Sequence, residues 1–116
     1  MDIRTRRAYD EMAENDGYRV LADRLWPRGV AKEDLELDEW GKEVAPSDDL
    51  RKWYDHDTEK WDEFRRRYAR ELDDCDAADD LAKRAKDGRV TLIYAAKDEN
   101  HNNAVALRDW LKEKLG

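Results

Sequence analysis

Two short segments carry the side chains best able to do chemistry: Asp23-Arg24-Leu25-Trp26-Pro27-Arg28 and Lys97-Asp98-Glu99-Asn100-His101-Asn102. Arg24, Arg28 and Lys97 supply positive charge, and a guanidinium can grip a phosphate or carboxylate through two parallel hydrogen bonds. His101 can pass a proton, because imidazole changes charge near neutrality. Asp23 and Asp98 are partners for these groups, and Trp26 is either core or a ligand platform. A helix beginning near Asn102 or Asn103 would turn free backbone N–H groups and a positive dipole end toward the same place, which suits an anion. The expectation is a pocket for a phosphorylated or carboxylated small molecule. Its ligand-binding residues would be Arg24, Trp26, Arg28, Lys97, Asp98 and Asn102, with His101 as proton carrier if the site is catalytic. Each has a plainer reading as well. Arg24 could pair with Asp23 or an acidic helix, His101 and Asn102 could be helix caps, and His56 reads as a helix-boundary residue.

Two strands must bring these segments together. Tyr18 to Leu25 and Arg89 to Ala96 are nearly continuous apolar runs, as expected of strands covered on both faces. A helical stretch separates them and another helix follows the second. Strand, helices, strand, helix implies an α/β layered domain with a mostly parallel sheet, a right-handed crossover and a C-terminal helix. In such sheets ligands bind beyond the carboxyl ends of the strands, where both segments would lie.

The remaining elements follow from local pattern. Ile3 to Tyr9 reads as an edge strand with its arginines toward water, and Asn15-Asp16-Gly17 as a turn. Lys32 to Val44 is expected to be an interrupted helix. Ser47 is a good N-cap for a helix over Asp48 to Tyr54, whose leading aspartates suit the positive end. From Asp57-Thr58 a longer helix places Trp61, Phe64, Tyr68 and Leu72 on one face. Arg65, Arg66, Arg67 and Arg70 lie opposite, among acids that can neutralise them, so a solvated face is expected. Ala77 to Lys86 forms a helix stopped at Gly88, and Ala104 to Leu115 forms the last one.

Composition narrows the function classes. One domain over residues 1–116 is expected, since the length supports a single core. Charged residues make up 46% and the net charge is −7, which disfavours bulk attraction to nucleic acid or to an anionic membrane. Nucleic acid or protein therefore ranks second to a small anionic ligand as partner, and a monomer or small homo-oligomer is expected. No apolar stretch has secretory or transmembrane length, so a cytoplasmic location is expected. Cys75, the one cysteine, is flanked by aspartates that oppose the thiolate a nucleophile requires. Two histidines without ligand spacing make neither a zinc site nor a resident cofactor expected, and Ser47, the one serine, reads as a cap. No glycine-rich phosphate loop is present.

Several segments resemble the DUF488 family, in its short, YeaO-like branch. They are Tyr18 to Val30, Leu37-Asp38-Glu39-Trp40, Ala45 to Tyr54, Phe64 to Tyr68, and Leu92 to Asp98 with His101-Asn102 after it. They run in order along nearly the whole chain. The resemblance implies kinship and fold, and carries no established activity. The longer branch has an early Asp-x-Arg turn, which looks to be kept here in altered form as Asp23 to Arg28. It also has a late pair of cysteine motifs. Here Tyr94 stands in place of the first cysteine and Asn102-Asn103 in place of Cys-His, so thiol chemistry is not implied. A fainter similarity to rhodanese-like domains is one of topology only.

Overall fold

A parallel four-stranded sheet forms the middle layer of the protein, in a computed structural model that describes residues 2–11 and 13–116. Its strands are β1 (Ile3–Arg7), β2 (Tyr18–Leu21), β3 (Glu39–Trp40) and β4 (Val90–Tyr94). They lie in the order β1-β4-β2-β3, so the last strand of the chain sits between the first two. Val90 faces Ile3 on one side and Tyr18 on the other. The helices are α1 (Lys32–Leu35), α2 (Asp48–Tyr54), α3 (Trp61–Asp73), α4 (Asp76–Asp87) and α5 (Asn103–Leu115). Among them none is long and apolar enough to cross a membrane.

The strands alternate between two apolar layers. Val20, Val90 and Leu92 pack with Phe64, Tyr68, Leu81, Leu107 and Leu111 in a large core beneath the long helices. Leu21 and Ile93 point the other way, against Ala8 and Leu35 of α1. Both faces are thus dry, which is why these strands read as continuous apolar runs. β1 lies at one edge with its four residues after Ile3 only half-buried, as the arginine pattern predicts. Gly17 enters β2 with φ of +70°, and a Cβ there would stand 2.4 Å from the Arg89 carbonyl oxygen, so the turn admits only glycine.

Helix starts and faces follow the sequence closely. Ser47 accepts from the Leu50 N–H at 3.2 Å and opens α2. Glu71 steadies that cap by accepting from both the Ser47 N–H (2.8 Å) and its hydroxyl (2.6 Å). α3 begins at Trp61 after a single 3-10 turn over Thr58–Lys60 and buries Phe64, Tyr68 and Leu72. On its wet side Glu63 accepts from Arg66 at 2.8 Å and from Arg67 at 2.9 Å, while Arg65 reaches Asp109 at 3.2 Å. Arg65, Arg66 and Arg67 are therefore paired on a solvated face, where Arg70 is exposed as well.

Two expectations need correction. The strand from Tyr18 ends at Leu21 rather than Leu25, with one further rung from the Ala22 N–H to the Ile93 carbonyl at 2.8 Å. Lys32 to Val44 is not a helix throughout. Helix α1 stops at Glu36, which turns left-handed at φ of 44°, and the chain then forms β3 beside β2. Asp38 drives this: its carboxylate accepts the Arg19 N–H at 2.8 Å, and its own N–H donates to the Arg19 carbonyl at 2.9 Å. A helix would break both bonds.

Candidate functional site

Beyond the carboxyl ends of β2 and β4 lies a cleft of about 610 Å³. Of the residues expected there, Arg24, Trp26, Arg28, His101 and Asn102 line it. Lys97 is exposed and lies outside the lining, as does Asp98. Helix α2 and the turn after it add one wall, with Arg51, Lys52 and Tyr54 from the helix and Asp55 and His56 from the turn, and Phe64 of α3 adds to the floor.

Asp23 fixes the inner end. Its carboxylate accepts from the Ala95 N–H at 2.8 Å and from the Asn103 side-chain amide at 2.9 Å. The anion seat where β4 leads toward α5 is therefore filled by the protein's own carboxylate, and a ligand anion must sit farther out. Burial pushes the Asp23 carboxyl up, against the pull of the Ala95 N–H, the Asn103 amide and the His56 charge. The Asp23 backbone carbonyl accepts from the Trp40 indole at 3.0 Å, tying β3 to the same corner.

The turn after Asp23 divides its residues by role. Trp26 donates its indole N–H to the Val30 carbonyl at 2.7 Å and packs edge-on against Trp40, with centroids 5.2 Å apart at 70°. It is a wall held from behind. Arg24 donates to the Pro46 carbonyl at 3.3 Å and stands 3.8 Å from Asp48, which also lies 3.5 Å from Arg51. Arg28 differs: its carbonyl accepts from the Tyr9 hydroxyl at 2.9 Å, whereas its exposed guanidinium has no ion-pair or hydrogen-bond partner among the described residues.

The opposite wall is built on Asp98. Its carboxylate accepts from the Asn100 N–H (2.9 Å), from the His101 N–H (3.0 Å) and meets His101 Nδ1 at 2.9 Å. These contacts, the Asn100 N–H foremost, hold the Asp98 carboxyl below the ordinary carboxylate range. Asp98 thus positions His101, leaving the ring's Nε2 as its remaining polar atom. The imidazole also meets the Trp61 indole edge-on at 5.3 Å and 87°. Asn102 is buried as the cap of α5, accepting from the Val105 N–H at 3.0 Å and donating to the Asp98 carbonyl at 2.9 Å. Burial, with Asp98 and Asp57 nearby, pushes the Tyr54 hydroxyl up to about 12, so it stays protonated near neutrality.

His56 is the residue whose place the sequence least reveals. Asp55 and His56 follow α2 with φ of 45° and 57°, two left-handed residues in succession, and this sharp turn sets His56 on the cleft wall. The adjacent Asp and His, types enriched in that conformation, were the available signal. Among the described residues no group of three or more His, Cys, Asp or Glu side chains is arranged to hold a metal ion.

Comparison with known proteins agrees with the resemblance seen in the motifs. The chain is 45% identical over 113 residues to the uncharacterised protein YeaO of Escherichia coli K12, covering 97% of this chain and 98% of YeaO. It is 40% identical over 109 residues to the uncharacterised protein Rv3073c of Mycobacterium tuberculosis, covering 94% and 92% of the two chains. No solved structure matches the sequence. A family model described as the inactive DUF488-N3 subclade matches residues 2–116, and the chain belongs to the DUF488 family.

Proposed function

We propose that the cleft binds a small molecule carrying a phosphate or carboxylate group. One observation carries this reading. Arg24, Arg28, Arg51 and Lys52 stand in the lining against Asp23 and Asp55, and with Asp48 behind Arg24 and Arg51 the cleft still stays positive by one in a chain of net charge −7. Such local concentration of charge against the protein's own field attracts and orients an anionic guest. Arg28, exposed and unengaged, is the side chain freest to grip it. The family description as inactive, and the absence of a thiol at Tyr94, support binding rather than turnover.

Thermal denaturation with a panel of phosphorylated and carboxylated small molecules tests the reading. A ligand at a hundred times its Kd stabilises by about 2.7 kcal/mol. The gain should vanish in Arg28→Ala, which should fold normally. A single-stranded oligonucleotide belongs in the panel. Steeply salt-dependent binding to it, with no response to small anions, would replace this reading with a nucleic-acid surface.

A further inference from the structure

The lining says more about which anion belongs there. We infer that the guest is a phosphate monoester bearing a flat apolar group, and that His56 and His101 select its dianion over a carboxylate. The inference rests on the binding reading above.

The charge in the cleft exceeds what a carboxylate uses. One carboxylate is satisfied by a single guanidinium in a two-pronged contact. Bound to Arg28, it would leave Lys52 without a counter-charge, while Arg24 and Arg51 share the one carboxylate of Asp48. A protonated imidazole in the lining raises the surplus from one to two positive charges, which a dianion matches. Apolar floor residues, Tyr54, Phe64, Pro27, Ala95 and Ala96, leave room for a ring, and about 610 Å³ is far more than bare phosphate fills.

The two histidines of the chain both reach this cleft, from different walls. His101 is aimed by Asp98, with Nδ1 engaged and Nε2 remaining. His56 is placed by a turn that glycine would adopt without strain, yet Asp55 and His56 occupy it at a cost of about 1 kcal/mol or more each. A costly turn that delivers an imidazole to a cationic cleft is explained if the imidazole meets a ligand there. The charged groups sharing the lining with His56 are Asp23 from the end of β2, Arg24 and Arg28 from the turn after it, and Arg51, Lys52 and Asp55 from α2 and its end. His101 faces Asp98 on its own loop, Tyr54 of α2 and Trp61 of α3.

This arrangement has a recognisable pH signature. Imidazole gains its proton between about pH 8 and 5, and a phosphate monoester loses its second proton near about 6. Protonated imidazole and phosphate dianion coexist best where these ranges overlap, so affinity should pass through a maximum. A carboxylate ligand stays ionised down to about pH 4, so its affinity would only rise on acidification over the same range.

Calorimetric titration with phenyl phosphate and with benzoate, from about pH 5.5 to 8, tests the inference on the intact protein, His56→Asn and His101→Gln. Asparagine tolerates the left-handed backbone, and circular dichroism checks folding of both variants. Phenyl phosphate should bind about tenfold more tightly than benzoate at the maximum, a difference of about 1.4 kcal/mol. It should weaken about tenfold toward pH 8, and each histidine variant should flatten that decline. Equal affinity for the two probes, lost together in Arg28→Ala, would leave the binding cleft standing and overturn the selectivity. A pH profile unchanged in both histidine variants would overturn it as well. Binding of neither probe would sink the cleft reading and this inference with it.

Discussion

The Asp23 carboxylate stands 2.8 Å from the backbone nitrogen of Ala95, taking over from the β2 backbone where the ladder to β4 ends. A side chain thus ends one strand and anchors the approach to a helix in a single contact. Replacing it leaves the Ala95 N–H and the Asn103 amide without their acceptor. Asp23→Ala should therefore lose about 1–3 kcal/mol in urea denaturation, and an unchanged midpoint would contradict the role given to it.

The same carboxylate gives a pH dependence of known sign. Its carboxyl is raised above the ordinary aspartate value in the folded protein, so the folded state binds that proton more readily than the unfolded chain. The ionised form costs stability above the raised value, and the cost fades as pH falls through it. Asp2, Glu63 and Asp98, held low, act in the opposite sense, but they are common to wild type and variant. Measured as a difference from Asp23→Asn, the wild type should gain stability on acidification from neutrality to about pH 4. A difference independent of pH would refute the assignment.

Arg28 and Lys97 should part company. Both carry exposed charge near the same corner, but only Arg28 lines the cleft. Each alanine variant should keep wild-type stability within about 0.5 kcal/mol, as surface changes do. Only Arg28→Ala should weaken anion binding. Loss of binding in Lys97→Ala instead would move the site outward along the loop.

His56 links stability and binding in opposite directions. His56→Gly should relieve the left-handed strain and stabilise by about 0.5–1 kcal/mol, raising Tm by a few degrees. The same change removes an imidazole from the cleft, so affinity for a phosphate monoester should fall. A variant that is both less stable and unaltered in binding would show that the turn serves packing alone.

At the far end of the sheet, Asp16 is almost fully buried between Arg6, 3.0 Å away, and Arg19, itself buried. Removing one member of such a cluster strands the rest. Asp16→Ala should lose about 3–5 kcal/mol by chemical denaturation. Joint replacement of Asp16 and Arg19 by leucine and methionine should recover much of it, because paired burial of charge contributes little on balance.

What could be read before the fold was known follows one physical divide. The β2 and β4 runs, the Ser47 cap and the apolar face of α3 are local patterns, and each appears in the structure, though both strands are shorter than the apolar runs that announce them. β3 was not readable, because two residues become a strand only through Asp38 reaching Arg19 and Trp40 reaching Asp23. The site divides the same way. Arg24, Trp26, Arg28 and His101 lie on the segments that leave the ends of β2 and β4, so the parallel topology brings them to one end of the sheet. Arg51, Lys52 and His56 arrive with α2, whose position depends on Tyr54 stacking on Phe64 at 4.3 Å, a contact no local pattern announces. Lys97 looked equivalent to its neighbours, but the turn around Asp98 directs His101 to the cleft and leaves Lys97 outside it.

The strand order has a consequence for biosynthesis. β4 is the last strand to leave the ribosome and the one that joins β1 to β2. Until it emerges, a nascent chain has only the two-residue pairing of β2 with β3, and Ile3 waits for a partner at Val90. The sheet therefore closes late and over long sequence separation, which slows folding and leaves the apolar strand Tyr18–Leu21 uncovered meanwhile. The dense charge that surrounds so small a core keeps that waiting chain soluble.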